Sequence, residues 1–197
     1  GKKIAILGPL KLNKKQSEEL KSFDLIVTMN IADFSGKRYL EFLPQIIYND
    51  NSITKILIDQ YEGKIPDSVF ALVTRSPKFL KDFEGSKLLR CIPGTNELTV
   101  NGGINMIQRM MIDLLIHEPE KVKVFGADLY ITSEYSPSYE GRPGNNIRHF
   151  VHHDIITNFY FTRFLHQFPQ VEYEERLEKA VSMSIHDYFK VIKKVFL

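Results

Sequence analysis

The chain has 197 residues, of which 43% are hydrophobic and 25% charged, the composition of an ordinary globular protein with room for a substantial core. Its formal net charge of +2 at pH 7 argues against a dedicated nucleic-acid-binding protein. The single cysteine, Cys91, excludes an internal disulfide and a cysteine-based zinc site, and no apolar run approaches the roughly 20 residues that cross a bilayer. We therefore expect a protein of the reducing cytoplasm.

The first half of the chain alternates strand-like and helix-like segments. Short apolar runs predict strands at residues 3–7, 24–28, 54–58 and 69–73. Helical spacing of apolar residues predicts helices at residues 13–22, with Asn13 as the cap, and 35–47. Strands and helices that alternate at this spacing are typical of parallel βαβ units.

The second half begins with the longest predicted helix, residues 104–117, which follows Gly102-Gly103 and stops before Pro119. A strand at 122–125, a loop at 133–148, an aromatic helix at 154–168, an edge strand at 171–173 and a terminal amphipathic helix at 185–196 follow. Repeats and linkers are absent from the sequence. We predict a single domain over residues 1–197, a three-layer Rossmann-like α/β fold with a mostly parallel sheet.

Side chains suited to acid–base chemistry are concentrated after the strand at 122–125, where α/β proteins commonly carry their active sites. They are Tyr130, Tyr135, Tyr139, Arg142, Arg148, His149, His152 and His153. A tyrosine hydroxyl can donate to a phosphate leaving group, and a neutral imidazole can take a proton from an attacking hydroxyl. His149 lies just before a predicted helix N-terminus, which disfavours imidazolium. For one of His152 and His153 we favour a capping or turn role, and metal binding by the three is less favoured.

Two other kinds of position could contact a nucleotide. Gly8-Pro9 follows the first strand, where a phosphate-binding turn would lie, but the dinucleotide and P-loop fingerprints are missing and an ordinary tight turn is at least as well supported. Asn30 and Asn101-Gly102 could read a base or ribose, although turn formation explains each of them alone. An Asp-x-Asp pair is absent, so a transferase built on this chain would use protein donors in place of a metal, and we expect no cofactor.

The order of these residues carries a family resemblance. A strand runs into Gly8-Pro9, a second strand ends at Asn30, Asn101-Gly102 precede a helix, a strand ends in Gly126-Ala-Asp-Leu-Tyr130, and His149 stands five residues before Asp154. This order, over roughly the first 165 residues, resembles the sialyltransferase superfamily, especially the bacterial CMP-sialic acid transferases of capsule and lipooligosaccharide synthesis.

The resemblance implies a role for each matching residue. The nucleotide pocket would be lined by Gly8, Pro9, Asn30, Asn101 and Gly102. Tyr130, with either Tyr135 or Tyr139, would bind the departing phosphate, and His149 would be the general base. Two leucines, Leu7 and Leu10, depart from the family pattern beside the Gly-Pro turn, which leaves the cytidine contacts open.

We therefore expect a metal-independent glycosyltransferase that moves an acidic sugar from a CMP donor onto a glycan hydroxyl. Arg142 or Arg148 could engage the donor's carboxylate or phosphate. One alternative is another donor, either a different nucleotide sugar or a phosphoribosyl compound. The other is a non-catalytic nucleotide-binding module of a capsule-synthesis protein, with the aromatic residues of helix 154–168 as a partner surface. A lipid-linked acceptor would bring the protein to the inner face of the membrane, and homo-oligomerisation is left open.

Overall fold

The computed structural model describes residues 1–83, 88–92, 103–132, 135–136 and 153–196. Within these ranges the strands are β1 (Lys3–Leu7), β2 (Leu25–Met29), β3 (Ile46–Asn49), β4 (Ala71–Thr74), β5 (Leu88–Cys91), β6 (Lys121–Phe125) and β7 (Val171–Tyr173). The helices of the same ranges are α1 (Lys14–Leu20), α2 (Lys37–Phe42), α3 (Asn51–Tyr61), α4 (Met106–Leu115), α5 (Ile155–Leu165), α6 (Glu175–Ser182) and α7 (Ile185–Phe196), with a 3₁₀ turn at Pro77–Asp82. Among these described helices, none is long and apolar enough to span a bilayer.

The seven described strands form one sheet in the order β5-β4-β3-β2-β1-β6-β7, and every pairing is parallel. Strand β1 lies between β2 and β6, and its Ile6 is in register with Val27 of β2 and Val124 of β6. Strands β2 to β5 follow one another outward on one side of β1, and β6 and β7 lie on the other side. The predicted α/β fold with a parallel sheet is therefore confirmed, and the reversal places a topological switch point between the carboxyl ends of β1 and β6.

Helices cover both faces of the sheet. On one face Ile4, Ile6 and Val124 belong to a core cluster with Met110 of α4 and Phe159 of α5. On the other face, Ala5, Leu7 and Phe125 pack with Leu20 of α1, and a third cluster joins Ile47 and Leu72 to Leu57 of α3. Burial on both faces explains why β1 is a continuous apolar run after Lys3.

Several predicted elements are confirmed with small changes at their ends: β1, α1, β2, β4, α4, β6, α5, β7 and α7. The cap of α1 is a reciprocal capping box. The Asn13 side chain accepts from the Gln16 backbone N–H at 2.9 Å, and the Gln16 side chain accepts from the Asn13 N–H at 2.7 Å. The predicted cap residue thus fixes where this helix begins.

Two predicted elements are wrong. The helix predicted at 35–47 ends at Phe42, because Leu43 adopts a left-handed conformation with φ 45° and Pro44 follows, and residues 46–49 form β3 instead. The strand predicted at 54–58 lies inside α3, whose N-terminus is fixed by the Asp50 carboxylate accepting from the backbone of Ser52 and Ile53. We did not predict β5 or α6.

Candidate functional site

The turn after β1 packs directly on the end of β6. The Gly8 N–H donates to the Phe125 carbonyl at 2.7 Å, and the Leu10 N–H donates to the Gly126 carbonyl at 2.9 Å. A Cβ on Gly8 would lie 2.3 Å from the Gly126 carbonyl oxygen. Close packing is therefore sufficient to explain why position 8 is a glycine. The roles of Gly8 and Pro9 in a nucleotide pocket remain predictions.

A buried arginine that we did not predict supports the same turn. Arg38 of α2 is 1% exposed, and its guanidinium donates to the Gly8 carbonyl at 2.9 Å and to the Thr28 hydroxyl at 3.1 Å. One side chain thus ties together the carboxyl ends of β1 and β2. The sequence of this short helix, Lys37–Phe42, gives no signal for such a contact.

Two asparagines shape the loops after β2 and β3. Asn30 is left-handed, with φ 57°, and its side-chain oxygen accepts from the Asp50 N–H at 3.2 Å. The Asn49 amide, which we did not single out, donates to the Ile31 carbonyl at 2.7 Å and accepts from the Ile31 N–H at 2.9 Å. Both contacts are turn-forming, and the proposed nucleotide contact of Asn30 remains a prediction.

The loop after β6 contains two consecutive residues in the left-handed region, Leu129 with φ 51° and Tyr130 with φ 68°. For residues other than glycine this conformation costs about 1 to 2 kcal/mol each. The Asp128 carboxylate stabilises the loop by accepting from the Tyr130 N–H at 3.0 Å and from the Thr132 N–H and hydroxyl at 2.8 and 2.6 Å. The Tyr188 hydroxyl of α7 also donates to the Leu129 carbonyl at 2.7 Å. A strained backbone is thus held in one shape.

Asp128 lies beside a second buried carboxylate. Burial raises the pKa of Asp128 above its ordinary value, against the opposing hydrogen bonds from Thr132 and Tyr130. Burial likewise raises the pKa of Glu174, and the charge of Asp128 adds to that rise. The Glu174 carboxylate accepts from the Gln16 amide at 2.6 Å, and the positive charge of Arg176 acts on both acids.

The loop directs the Tyr130 side chain to the beginning of α4. Its hydroxyl donates to the side-chain oxygen of Asn105, the residue before α4, at 3.0 Å. The Asn105 N–H donates in turn to the side chain of Asn158 on α5 at 2.7 Å, and the Asn158 amide reaches the Gly103 carbonyl at 3.1 Å. The N-termini of α4 and α5 therefore lie side by side next to Tyr130. The Asp154 carboxylate already caps α5, so the partial positive charge of the α4 N-terminus is the one that favours a further anion.

The segment before α5 takes part in the same arrangement. Asp154 caps α5 by accepting from the Thr157 N–H at 2.9 Å and the Thr157 hydroxyl at 2.7 Å, so the predicted helix start is confirmed. His153 forms a parallel bridge with Gly103, and its Nδ1 lies 3.3 Å from the Gly103 carbonyl oxygen. This position fits the structural role that we expected for one of the two adjacent histidines.

Tyr135 lies in a different part of the edge from Tyr130. Its backbone pairs with Leu10 in an antiparallel bridge, and the following Ser136 N–H donates to the Pro9 carbonyl at 2.8 Å. The structure thus brings Tyr135 to the Gly8-Pro9 turn. Tyr130 and Tyr135 both lie at the carboxyl edge of the sheet.

The aromatic residues of α5 are divided between core and surface. Phe159 is fully buried, as is typical of an aromatic residue at helical spacing, and its ring packs 4.6 Å from that of Tyr188. In contrast, Ile156, Tyr160 and Phe164 are each about half exposed. The partner-surface alternative therefore applies at most to this outer face of the helix.

Some predicted site residues lie outside the described residues: Asn101, Gly102, Tyr139, Arg142, Arg148, His149 and His152. Their roles remain predictions. Within the described ranges there is no group of three or more His, Cys, Asp or Glu side chains that could hold a metal ion. Comparison of the chain with models of known protein families and with curated proteins gave no match.

Proposed function

We propose that the protein is a metal-independent glycosyltransferase that moves an acidic sugar from a CMP donor onto a glycan hydroxyl. The observation that carries the proposal is the position of the Tyr130 hydroxyl at the N-terminus of α4, where it donates to Asn105. A departing nucleotide phosphate is an anion, and it gains from helix N-termini and from a hydroxyl donor that carries no charge. The site lies at the carboxyl edge of a parallel sheet, where ligands of such folds bind.

In the proposed reaction the acceptor oxygen attacks the anomeric carbon as the bond from that carbon to the phosphate oxygen breaks. His149 takes the acceptor's proton, and Tyr130 donates to the leaving phosphate with Tyr135 or Tyr139 as a second donor. Attack from the side opposite the leaving group inverts the anomeric centre. The Tyr130 hydroxyl donates to Asn105, and in the proposed complex a phosphate oxygen would replace that acceptor.

One observation favours a different donor on the same scaffold. Leu7 and Leu10 are 1% and 3% exposed, so the positions on either side of Gly8-Pro9 are apolar and covered. They offer no polar side chain to a cytosine or ribose. Another nucleotide sugar or a phosphoribosyl compound is the second candidate.

Calorimetric titration of CMP in excess EDTA tests the proposal directly. We expect CMP to bind with unchanged affinity when the chelator is present. Affinity that disappears with EDTA and returns with magnesium or manganese would overturn the metal-free mechanism. Parallel thermal-shift measurements with UMP, UDP, GDP and phosphoribosyl pyrophosphate identify the donor class, because a ligand that binds the folded state alone raises the melting temperature.

Turnover separates a transferase from a binding module. Release of CMP from a CMP-activated acidic sugar is expected for the wild type and for Tyr61→Phe, a matched substitution at a tyrosine on the surface of α3 that is 36% exposed. We expect Tyr130→Phe to bind CMP as the wild type does. Its rate of CMP release from the sugar donor should be lower. Binding without turnover of any sugar donor would favour the module.

A further inference from the structure

The outer face of α5 is unusually apolar for a helix at the surface. Its exposed residues are three large apolar side chains, each about half exposed, and one cation: Ile156, Tyr160, Phe164 and Arg163. Because the apolar residues stand four positions apart, they form one stripe along the helix. A surface helix normally presents charged and polar side chains to water. A contiguous apolar stripe in this place is typical of a contact site.

The neighbouring helix α7 adds to this apolar surface. The ring of Tyr160 packs edge-on against Phe159, with 5.3 Å between the ring centroids, and Phe159 packs 4.6 Å from Tyr188. The Tyr188 ring lies 5.9 Å from that of Phe189, which is 40% exposed. Tyr160 and Phe189 thus flank one buried aromatic pair. The apolar surface, called the α5–α7 face below, consists of Ile156, Tyr160, Phe164 and Phe189.

The charges around the α5–α7 face are mostly positive. Arg163 follows Tyr160 by three positions on α5, and Lys193 follows Phe189 by four positions on α7, with Lys194 beside it. All three cations are exposed, and none pairs with an acidic side chain in the described part of the chain. The sequence of α5 contains no acid. The single acid of α7, Asp187, accepts from the Ser184 hydroxyl at 2.7 Å and pairs with Lys190 at 3.5 Å.

We propose that the α5–α7 face docks the protein on an anionic lipid bilayer, with the apolar side chains at the level of the headgroups and the cations against the lipid phosphates. Aromatic and aliphatic side chains bordered by Lys and Arg are the composition that binds in a membrane interface. A second copy of the chain is a poorer occupant. In a two-fold contact the same face lies on both sides, so the cations of the two copies would face one another.

Docking would also hold the candidate site near the lipid. The Tyr188 hydroxyl donates to the Leu129 carbonyl at 2.7 Å, so α7 is fixed to the loop that carries Tyr130. The beginning of α5 is fixed to the same site, because the Asn105 N–H donates to the Asn158 side chain at 2.7 Å. Membrane docking and glycosyl transfer are nevertheless separate properties of the chain, and either can fail without the other.

A tryptophan probe tests where the protein meets the lipid. The sequence contains no tryptophan, so Tyr160→Trp introduces a single one on the α5–α7 face. Vesicles of equimolar phosphatidylcholine and phosphatidylglycerol should shift its emission to the blue, because the ring leaves water. The control is Tyr61→Trp, at an exposed position of α3 on the opposite side of the sheet, whose emission should stay unchanged. No shift at position 160, or an equal shift at both positions, would overturn the proposal.

Co-sedimentation with the same vesicles measures the contribution of the cations. Near an anionic surface each Lys or Arg strengthens binding by about 5-fold. Lys193→Gln combined with Lys194→Gln should therefore weaken binding by about 10-fold to 30-fold. The matched control is Lys14→Gln combined with Lys15→Gln, which removes the same charge from exposed positions of α1 on the opposite side of the sheet. Its effect should be about 2-fold or less, because charges farther than a Debye length from the lipid are screened.

Tyr160→Gln combined with Phe164→Gln should also weaken co-sedimentation, and melting without vesicles verifies that each variant is folded. If the wild type does not sediment with the anionic vesicles, or if the two double-lysine variants lose binding equally, the α5–α7 face is not a membrane-docking surface. Gel filtration tests the other occupant. A dimer that the Tyr160 and Phe164 substitutions dissociate, in a protein that binds no vesicles, would assign the face to a second copy and overturn the proposal.

Discussion

Replacing Gly8 with alanine should destabilise the protein through one identifiable contact. The new Cβ would lie 2.3 Å from the Gly126 carbonyl oxygen and 2.8 Å from the carbonyl carbon. Both atoms belong to the backbone, so no side-chain rotation can make room. Gly126 is also constrained, because it has φ 62° and a Cβ on it would lie 2.9 Å from the Leu10 carbonyl oxygen.

The expected loss of stability in Gly8→Ala can be estimated from the contacts that the new Cβ would displace. Separating the turn from β6 would lengthen the bonds from Gly8 to Phe125 and from Leu10 to Gly126, now 2.7 and 2.9 Å, and each such bond contributes about 0.5 to 1.5 kcal/mol. Overpacking of a close-packed interior adds about 1 to 3 kcal/mol. We therefore expect the free energy of unfolding to fall by about 2 to 6 kcal/mol, a large part of the typical stability of a domain.

Urea denaturation followed by circular dichroism measures this change. Gly36→Ala is the matched control, since Gly36 precedes α2 with φ −66°, a conformation open to alanine. Alanine is a poorer helix cap than glycine, so we expect a loss of about 1 kcal/mol or less. Equal denaturation midpoints for Gly8→Ala and Gly36→Ala would refute the packing argument. If Gly8→Ala kept full stability and lost CMP affinity, the turn would be a ligand cradle, as the family resemblance implies.

Four further predictions follow. Tyr130→Phe should reduce turnover by about 10-fold to 1,000-fold with little change in stability, measured as the rate of CMP release; an unchanged rate would make the hydroxyl structural. His149→Ala should abolish transfer but leave CMP affinity intact, and the wild-type rate should fall as the pH drops through the imidazole range near about 6.5; normal transfer by the variant would exclude His149 as the base. Folding raises the pKa of Asp128, so this carboxyl binds its proton more tightly in the folded protein. Its contribution to the free energy of unfolding should therefore decline as the pH rises from the ordinary carboxyl range through the raised pKa. Urea titrations across pH should show that Asp128→Asn removes this decline. Glu118→Gly should raise the melting temperature or leave it unchanged, since Glu118 is exposed with φ 49° and glycine adopts this conformation without strain, whereas a clear drop would contradict the assigned backbone.

Local signals in the sequence were sufficient wherever the cause of the structure is also local. Asn13 with Gln16, and Asp154 with Thr157, define helix starts through contacts between residues three apart. The strands β1 and β6 are short apolar runs that end at a glycine, and both were predicted nearly to the residue. The alternation of such elements was sufficient to predict a parallel α/β sheet.

The two errors came from segments in which the pattern fits both structures. The apolar run within residues 54–58, Thr-Lys-Ile-Leu-Ile, is too short to distinguish a strand from a helix, and the capping residue Asp50 lies upstream of the run. In the helix predicted at 35–47, the apolar spacing continued across Leu43 and Pro44 into the next strand. The left-handed Leu43 that ends α2 has no glycine to signal it.

The candidate site was predictable only in part, because its contacts are distant in sequence. Tyr130 could be selected from its position after a strand. Its contact with Asn105, 25 residues earlier, depends on how α4 returns across the sheet.

The loop after β6 explains why an aspartate precedes the candidate tyrosine. A left-handed turn is easiest for glycine, but glycine at position 130 would remove the hydroxyl, so the chain must hold a tyrosine in a strained conformation. The Asp128 carboxylate accepts from Tyr130 and from Thr132, and it therefore offsets the strain at the residue whose hydroxyl the proposed mechanism uses. A neutral amide at this position would present a donor where one of the carboxylate oxygens now accepts. The residue that orders the backbone is thus the one that positions the hydroxyl, and a substitution of Asp128 should change stability and turnover together.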